Sequence, residues 1–392
     1  MSLSFVFVSN FLNVHQVPFC EAMVKLLGEG NFTFVATTPF DQERVKSGYE
    51  DMNQMPFVVR AYERDADARH AVLDADVVMS IPYAKPDYLR MRMDAGAGLT
   101  FAYAERLLKR GLWYRHVPAK RLRVHDAFTR YRYREDFQVL CASAFTSYDL
   151  SLFGFPPEHC WKWGYFTRIP EAVPSHASHK DVTTIAWVAR LIRLKRPLVP
   201  IQLLKALLED GCNLHLTMIG EGMMRSEIEE YIRNERLTRY VTMTGPLSNV
   251  EVHRTLAETD IFLFTSSRFE GWGAVLGEAM SNRCTPIAAS RIGSVPFLIQ
   301  DGWNGLVYKD GNEEHLQSCA RRLICNTAER IQMGDNAHKT MMDKWNPEEA
   351  ARRIIGLSET FIGGSTCSPY TDGPCSPAPV INENWYQGGE IA

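Results

Sequence analysis

No stretch of this 392-residue sequence approaches 18 consecutive apolar residues, so a membrane-spanning helix is not expected. No C-x-x-C pair occurs, and the nine cysteines are an odd number, scattered from Cys20 to Cys375. That argues against a disulfide framework or a cysteine zinc site and for a reducing compartment. Leu3–Val8 is too short for a secretory core and no basic leader precedes it, so we expect a cytoplasmic chain. A large excess of one charge is also missing. The formal net charge is −3, which gives the whole molecule no electrostatic case for binding nucleic acid. No repeat of 20–50 residues is visible, which argues against a solenoid. What is present is 45% hydrophobic content over a length that suits two domains.

Short apolar runs alternate with longer amphipathic segments. In the first half the runs are Leu3–Val8, Phe32–Thr37, Asp76–Ile81, Leu99–Tyr103 and Phe137–Ala142, with helical patterns such as Val17–Gly28 and Arg64–Leu73 between them. In the second half, strands at Thr183–Val188, Asn213–Ile219, Tyr240–Met243, Ile261–Phe264 and Pro286–Ala289 alternate with helices near Pro197–Glu209, Met223–Asn234, Val250–Glu258, Trp272–Asn282 and Glu313–Cys325. Such alternation predicts α/β units with parallel sheets covered on both faces. We expect domains at 1–168 and 182–345 facing each other across a cleft, joined by a proline- and serine-rich linker at 169–181. Asn346-Pro347 is a good helix start and predicts a further helix over 346–361. An irregular tail rich in Gly, Pro and Ser follows at 362–392.

The densest chemistry lies between Asp260 and Tyr308. Glu270 falls in a turn after an apolar strand, beside Gly271 and Gly273, where backbone can approach a ligand closely. Glu278 falls within an apolar helical run, Val275, Leu276, Ala279 and Met280, where a carboxylate is costly unless something takes its charge and lone pairs. Paired sugar hydroxyls would do so. Arg190 and Lys195 lie just past another strand, at the carboxyl edge where α/β sheets bind ligands. Cations aimed there would stabilise a leaving diphosphate. Arg193 and Arg196 compete for that role, and a solvated basic loop is the plainer alternative. Gly220 and Gly222 form only G-x-G. Arg225 stands where a dinucleotide fingerprint needs its third glycine, which leaves a tight turn or backbone approach to a base.

Four blocks occur in order: Trp187-Val188-Ala189-Arg190-Leu191 with Lys195; Ile219-Gly220-Glu221-Gly222; Thr244-Gly245-Pro246-Leu247-Ser248; and Phe269-Glu270-Gly271-Trp272-Gly273 with Glu278-Ala279-Met280. Together they resemble the donor domain of retaining glycosyltransferases of family four, which have the GT-B fold. The resemblance covers about Asp181 to Trp345, and the first half only in architecture. It implies transfer of a hexose from a UDP- or GDP-sugar to an acceptor hydroxyl with retention, in polysaccharide or glycolipid synthesis. Arg190, Lys195 and Glu270 would be catalytic, with Glu270 on the hexose. Glu278, Gly220, Gly222, Gly245, Leu247, Gly271, Trp272 and Gly273 would bind the donor. The implied mechanism uses no cofactor and no metal: the donor phosphate takes the acceptor proton. Two D-x-D triplets, Asp65/Asp67 and Asp74/Asp76, read as polar helix faces rather than metal sites.

The chain departs from the family pattern in places. Ser9–Gln16 replaces paired glycines after the first strand, which makes Asn13 and His15 acceptor-side candidates or parts of a structural loop. Glu105 and Arg106 follow a strand end and are also acceptor-side candidates. Ser294 and Phe297 stand where Gly and Glu are common. Residues 106–134 are strongly basic with interleaved aromatics, which suits docking on anionic lipid, an anionic acceptor, or a plain solvated face. Rival readings are another enzyme of the same architecture, epimerase or phosphorylase, and a sugar-nucleotide-binding protein without catalysis.

Overall fold

The computed structural model describes residues 3–40, 50–84, 87–170, 173 and 181–387. They form two compact units. Unit 1 comprises Met1–Arg168 and Asn346–Asn382; unit 2 comprises Ile169–Trp345 and Glu383–Ala392. The chain therefore passes from one unit to the other three times. Most of the expected linker, 171–172 and 174–180, lies outside the described residues.

Unit 1 is built on seven parallel strands: β1 (Phe5–Ser9), β2 (Phe32–Ala36), β3 (Val58–Arg60), β4 (Val77–Ser80), β5 (Leu99–Ala104), β6 (Phe137–Cys141) and β7 (Cys160–Lys162). Their order is β3-β2-β1-β4-β5-β6-β7. β1, β4, β5 and β6 are buried along their whole length, which is why they read as continuous apolar runs rather than alternating ones. Helices α1 (Val17–Leu27), α2 (Asp65–Asp74), α3 (Tyr88–Ala95), α4 (Pro118–Ala127) and α5 (Thr146–Ser151) connect them.

Unit 2 has six parallel strands: β8 (Thr183–Val188), β9 (Leu214–Ile219), β10 (Val241–Gly245), β11 (Ile261–Phe264), β12 (Thr285–Ala289) and β13 (Leu306–Tyr308). Their order is β10-β9-β8-β11-β12-β13. Its helices are α6 (Leu198–Glu209), α7 (Arg225–Asn234), α8 (Asn249–Ala257), α9 (Val275–Ser281), α10 (Val295–Leu298), α11 (Glu313–Cys325) and α12 (Thr327–Asp343). Each sheet is doubly wound. The winding reverses between β1 and β4 in unit 1 and between β8 and β11 in unit 2, and such reversals open ligand crevices at the carboxyl ends of the strands.

The last helix, α13 (Pro347–Ile362), returns to unit 1. Asn346 caps it by accepting from the Glu349 N–H at 2.7 Å, with proline at the first helical position. It packs against α1, and its Phe361 meets Phe101 and Trp161. Among the described residues the tail after it, 363–387, has no regular element of its own but is docked: Pro377 bridges to Trp161 on β7, and Cys375 and Ser376 are buried. Of the two acidic triplets, Asp65 and Asp67 do open a helix. Asp76 instead lies before β4, where it accepts from both the backbone N–H and the hydroxyl of Ser4.

Candidate active site

The reversal point of unit 2 brings together the loops after β8 and β11. β8 and β11 are neighbours, Ile185 beside Ile261, so their following loops emerge side by side. The first carries Arg190 to Arg196 and the second Thr265 to Glu270. Backbone and side chain brace them together. Ser267 N–H donates to Leu194 O at 2.8 Å. Thr265, fully buried, accepts from the Trp187 indole N–H at 2.9 Å and donates to Lys195 O at 3.0 Å. This framework places the Lys195 ammonium on the Glu270 carboxylate, in an ion pair whose side chains are only 14% and 13% exposed.

Glu278 is buried on α9 at 5% exposure. α9 begins at Val275, not at Trp272, so Glu278 sits in the first turn rather than mid-helix. The helix N-terminus offsets part of the cost of enclosing its charge.

The remaining cations separate by environment. Arg190 and Arg193 are exposed, and neither forms an ion pair among the described residues. Arg196 adopts left-handed backbone, φ 52°, and pairs with the nearly buried Asp310, tying the β8 loop to the segment after β13. It is held there for structure, which leaves Arg190 and Arg193 as the open cations of this edge.

The glycines have a common physical role. Gly220 has φ 135°, and a Cβ there would stand 2.0 Å from Ala189 O. A Cβ at Gly222 would stand 2.5 Å from Leu191 O. The turn after β9 lies directly on the backbone of the β8 loop, where Leu191 N–H donates to Glu221 O at 2.9 Å and Gly220 N–H to Gly245 O at 2.9 Å. G-x-G thus stacks three loops at one sheet edge. Gly245 ends β10 at φ 75°, and the half-buried Leu247 precedes the Ser248/Glu251 capping box of α8. Gly273 lies against Phe264, 2.2 Å from where a Cβ would sit, and Gly271 is buried beside Glu270.

Trp272 departs from its expected place. It is 2% exposed and packs with Phe297 and Trp345, so its side chain belongs to the core and only its backbone remains for a ligand. The two atypical residues belong to this packing. Phe297 stacks on Trp345 with centroids 5.9 Å apart, and Ser294 donates its hydroxyl to Trp272 O at 2.6 Å.

In unit 1 the loop after β1 is an ordered turn. Gln16 accepts from Asn13 N–H at 3.0 Å, and buried Asn53 accepts from Leu12 N–H at 2.9 Å. His15 lines a small cavity with Phe7, Phe19, Tyr103 and Tyr165. Glu105 is half-buried, accepting from Tyr165 OH at 2.9 Å and from Lys109 at 2.7 Å. Arg106 does not face an open edge. It is buried 3.7 Å from Asp149 and stacks over Phe145. Asp149, which sequence reasoning missed, accepts from Leu107 and Leu108 N–H at 2.8 and 2.7 Å. Burial pushes its carboxyl up to about 6 against the opposing pull of Arg106. An Asp inside an ordinary amphipathic segment gives no sequence sign of this.

Among the described residues, no group of three or more His, Cys, Asp or Glu is placed to hold a metal ion, and no helix is long and apolar enough to cross a membrane.

Two doubly wound units and a returning C-terminal helix define the GT-B architecture. Residues 169–340 match the model of the family described as glycosyl transferases group 1. The chain is 30% identical over 150 residues to an uncharacterized glycosyltransferase of Methanocaldococcus jannaschii, covering 38% of this chain and 40% of that one. It is 30% identical over 198 residues to the D-inositol 3-phosphate glycosyltransferase of Corynebacterium kroppenstedtii, covering 48% and 42%. The matched stretch thus spans less than half the length of these curated relatives. Among solved structures, Anabaena HepE in complex with UDP and glucose superposes with a TM-score of 0.64 over 93% of this chain and all of that one, at 13% identity. That likeness carries the fold alone.

Proposed function

We propose that this chain is a retaining, metal-independent GT-B glycosyltransferase of family four, moving a hexose from a UDP- or GDP-sugar to an acceptor hydroxyl. The observation that carries the reading is the Lys195–Glu270 pair at the sheet reversal, with Arg190 open beside it. Glu278 would accept the ribose hydroxyls and Glu270 the hexose hydroxyls. The turns at Gly220–Gly222, Gly245–Leu247 and Gly271–Gly273 would bring backbone close to the donor. Lys195 and Arg190 would face the diphosphate. The bond from the anomeric carbon to the diphosphate breaks, the acceptor oxygen bonds to that carbon on the same face, and the acceptor proton passes to the departing phosphate oxygen. Negative charge grows on the diphosphate along this path, and fixed cations stabilise it there most. Asn13, His15 and Glu105 remain the acceptor-side candidates.

Of the relatives named above, the D-inositol 3-phosphate glycosyltransferase names a polyol phosphate, which supports a hydroxyl of a polyol or sugar, here within polysaccharide or glycolipid synthesis, as the acceptor. A membrane-facing role is favoured by one patch. Trp113 is 61% exposed and Tyr133 84%, with Leu112 and Leu122 also exposed near Arg110, Arg121 and Arg123. Lys109, Arg106 and Arg134 are spent internally, on Glu105, Asp149 and Asp136. The enzyme would work at the cytoplasmic membrane face.

The test is a screen of UDP-glucose, UDP-galactose, UDP-N-acetylglucosamine and GDP-mannose by thermal shift, followed by turnover in EDTA. One nucleotide sugar should raise the melting temperature by mass action and be consumed with chelator present. A protein that binds none, or whose turnover EDTA abolishes, is something else.

A further inference from the structure

Residues 383–387 leave unit 1 and rejoin unit 2. An irregular segment with no helix or strand of its own stays mobile unless tied down. Here it is tied at several points. Glu383 lies 3.0 Å from the Arg268 guanidinium, with both side chains largely enclosed. Trp385 donates its indole N–H to Ser290 O at 2.8 Å, and Arg291 reaches Asn384 Oδ1 at 3.4 Å. Tyr386 donates its hydroxyl to Asp301 at 2.8 Å and stacks on His315 with ring planes 13° apart. Arg268 follows β11, Ser290 and Arg291 follow β12, and His315 follows β13 at the start of α11. The segment therefore runs along the carboxyl edge that carries the candidate site.

We propose that 383–387 is a strap that positions the Glu270 loop for the donor, with Glu383 and Trp385 as its positioning residues. This rests on the glycosyl-transfer reading of the site. Arg268 lies two residues before Glu270, and Glu270 N–H donates to Ser267 O at 2.9 Å, so a fixed Arg268 fixes the turn. On its other side the same loop is held by Leu194 O through Ser267 N–H. The loop is clamped between the β8 loop and the strap. Released on one side, it would have to be ordered by the donor itself, and that cost falls on binding rather than on the chemical step.

Full-length Glu383→Gln and Trp385→Ala proteins test this by amide hydrogen exchange and by kinetics with whichever nucleotide hexose turns over fastest in the screen. The expected result is at least threefold faster exchange at 267–271 with wild-type rates in β8. Donor KM should rise about tenfold with kcat within twofold. Unchanged exchange at 267–271 in both variants overturns the strap. So does a uniform rise across unit 2, which would mean only fold stabilisation, and so does an unmoved donor KM in a variant whose loop has loosened. A wild-type protein with no turnover at all would remove the glycosyl-transfer reading, and the exchange rates would still judge the strap.

Discussion

Lys195 faces two demands on one ammonium. It balances Glu270 within a largely enclosed pair, and in the proposed reaction it also faces a diphosphate. Arg190 is exposed and faces only the second demand. The two alanine variants should therefore differ. Both should lower kcat by about 10²–10³ while donor affinity changes less than tenfold. Only Lys195→Ala should also lower the melting temperature, because it strands an enclosed carboxylate, a loss between the ~0.5 kcal/mol of an exposed pair and the ~3 kcal/mol of a buried one. Equal melting temperatures for the two variants would refute the structural half of the role. Asp149 supplies a pH prediction. Its carboxyl is raised from 3.8 to about 6 by burial, so the folded protein holds its proton more tightly than the unfolded chain. That contribution is fully present below pH 4 and is lost as pH rises through 6, about 3 kcal/mol across the window. Stability differences between wild type and Asp149→Asn, read by urea denaturation, should change between pH 4 and 6 and level off above 7. A flat difference would place the proton elsewhere. Glu270 and Lys195 were legible one by one, because each follows an apolar strand. Their pairing was not, since it needs β8 beside β11, and residues 75 apart carry no local sign of adjacency. The burial of Arg106 was equally invisible, because its partner Asp149 lies 43 residues away.

At the scale of elements, the legible strands were those of four residues or more, whether buried along their length like β1 and β6 or alternating like β9 and β10. β3, β7 and β13 are three residues each, too short for any periodicity to register. α9 starts three residues later than its apolar pattern suggests, because Trp272 belongs to a core cluster with Phe297 and Trp345 rather than to a helix face. α12 went unread because its polar residues are spread around it, whereas α13 announced itself through its Asn-Pro start. The G-x-G turn was legible as a turn, but its cause was not, because that cause is the backbone of another loop. This separates two kinds of glycine. Gly220 and Gly211 both have positive φ, 135° and 84°, but only Gly220 has a carbonyl oxygen in the way of a Cβ. Gly211→Ala should cost about 1 kcal/mol of backbone strain and Gly220→Ala clearly more, at least about 3 kcal/mol. At roughly 2–4 °C per kcal/mol for a unit of this size, the second variant should melt several degrees below the first. Equal melting temperatures would mean that the β8 loop yields to the new methyl.

For the whole molecule, charge is better judged by where it is spent than by its sum. A net charge of −3 says nothing of a membrane, yet residues 106–134 concentrate cations in unit 1. Within that stretch Arg106, Lys109 and Arg134 have carboxylate partners, and Arg123 stacks over Tyr83 at 3.8 Å. A substitution at Arg134 would break its bidentate contact with Asp136 and its bond to Met93 O at 2.7 Å, and so would test folding as much as docking. The informative cations are Arg110, Arg121 and Arg130, all exposed and without a carboxylate partner among the described residues. Each basic residue near an anionic surface contributes about 1 kcal/mol. Replacing those three with Gln should therefore weaken co-sedimentation with phosphatidylglycerol vesicles by about a hundredfold at low salt and leave the melting temperature in place. Trp113→Ser should weaken it further at high salt, where screening removes the electrostatic part but not ring insertion. Binding that survives both changes would assign the patch to solvent and leave the acceptor to be sought among soluble sugars.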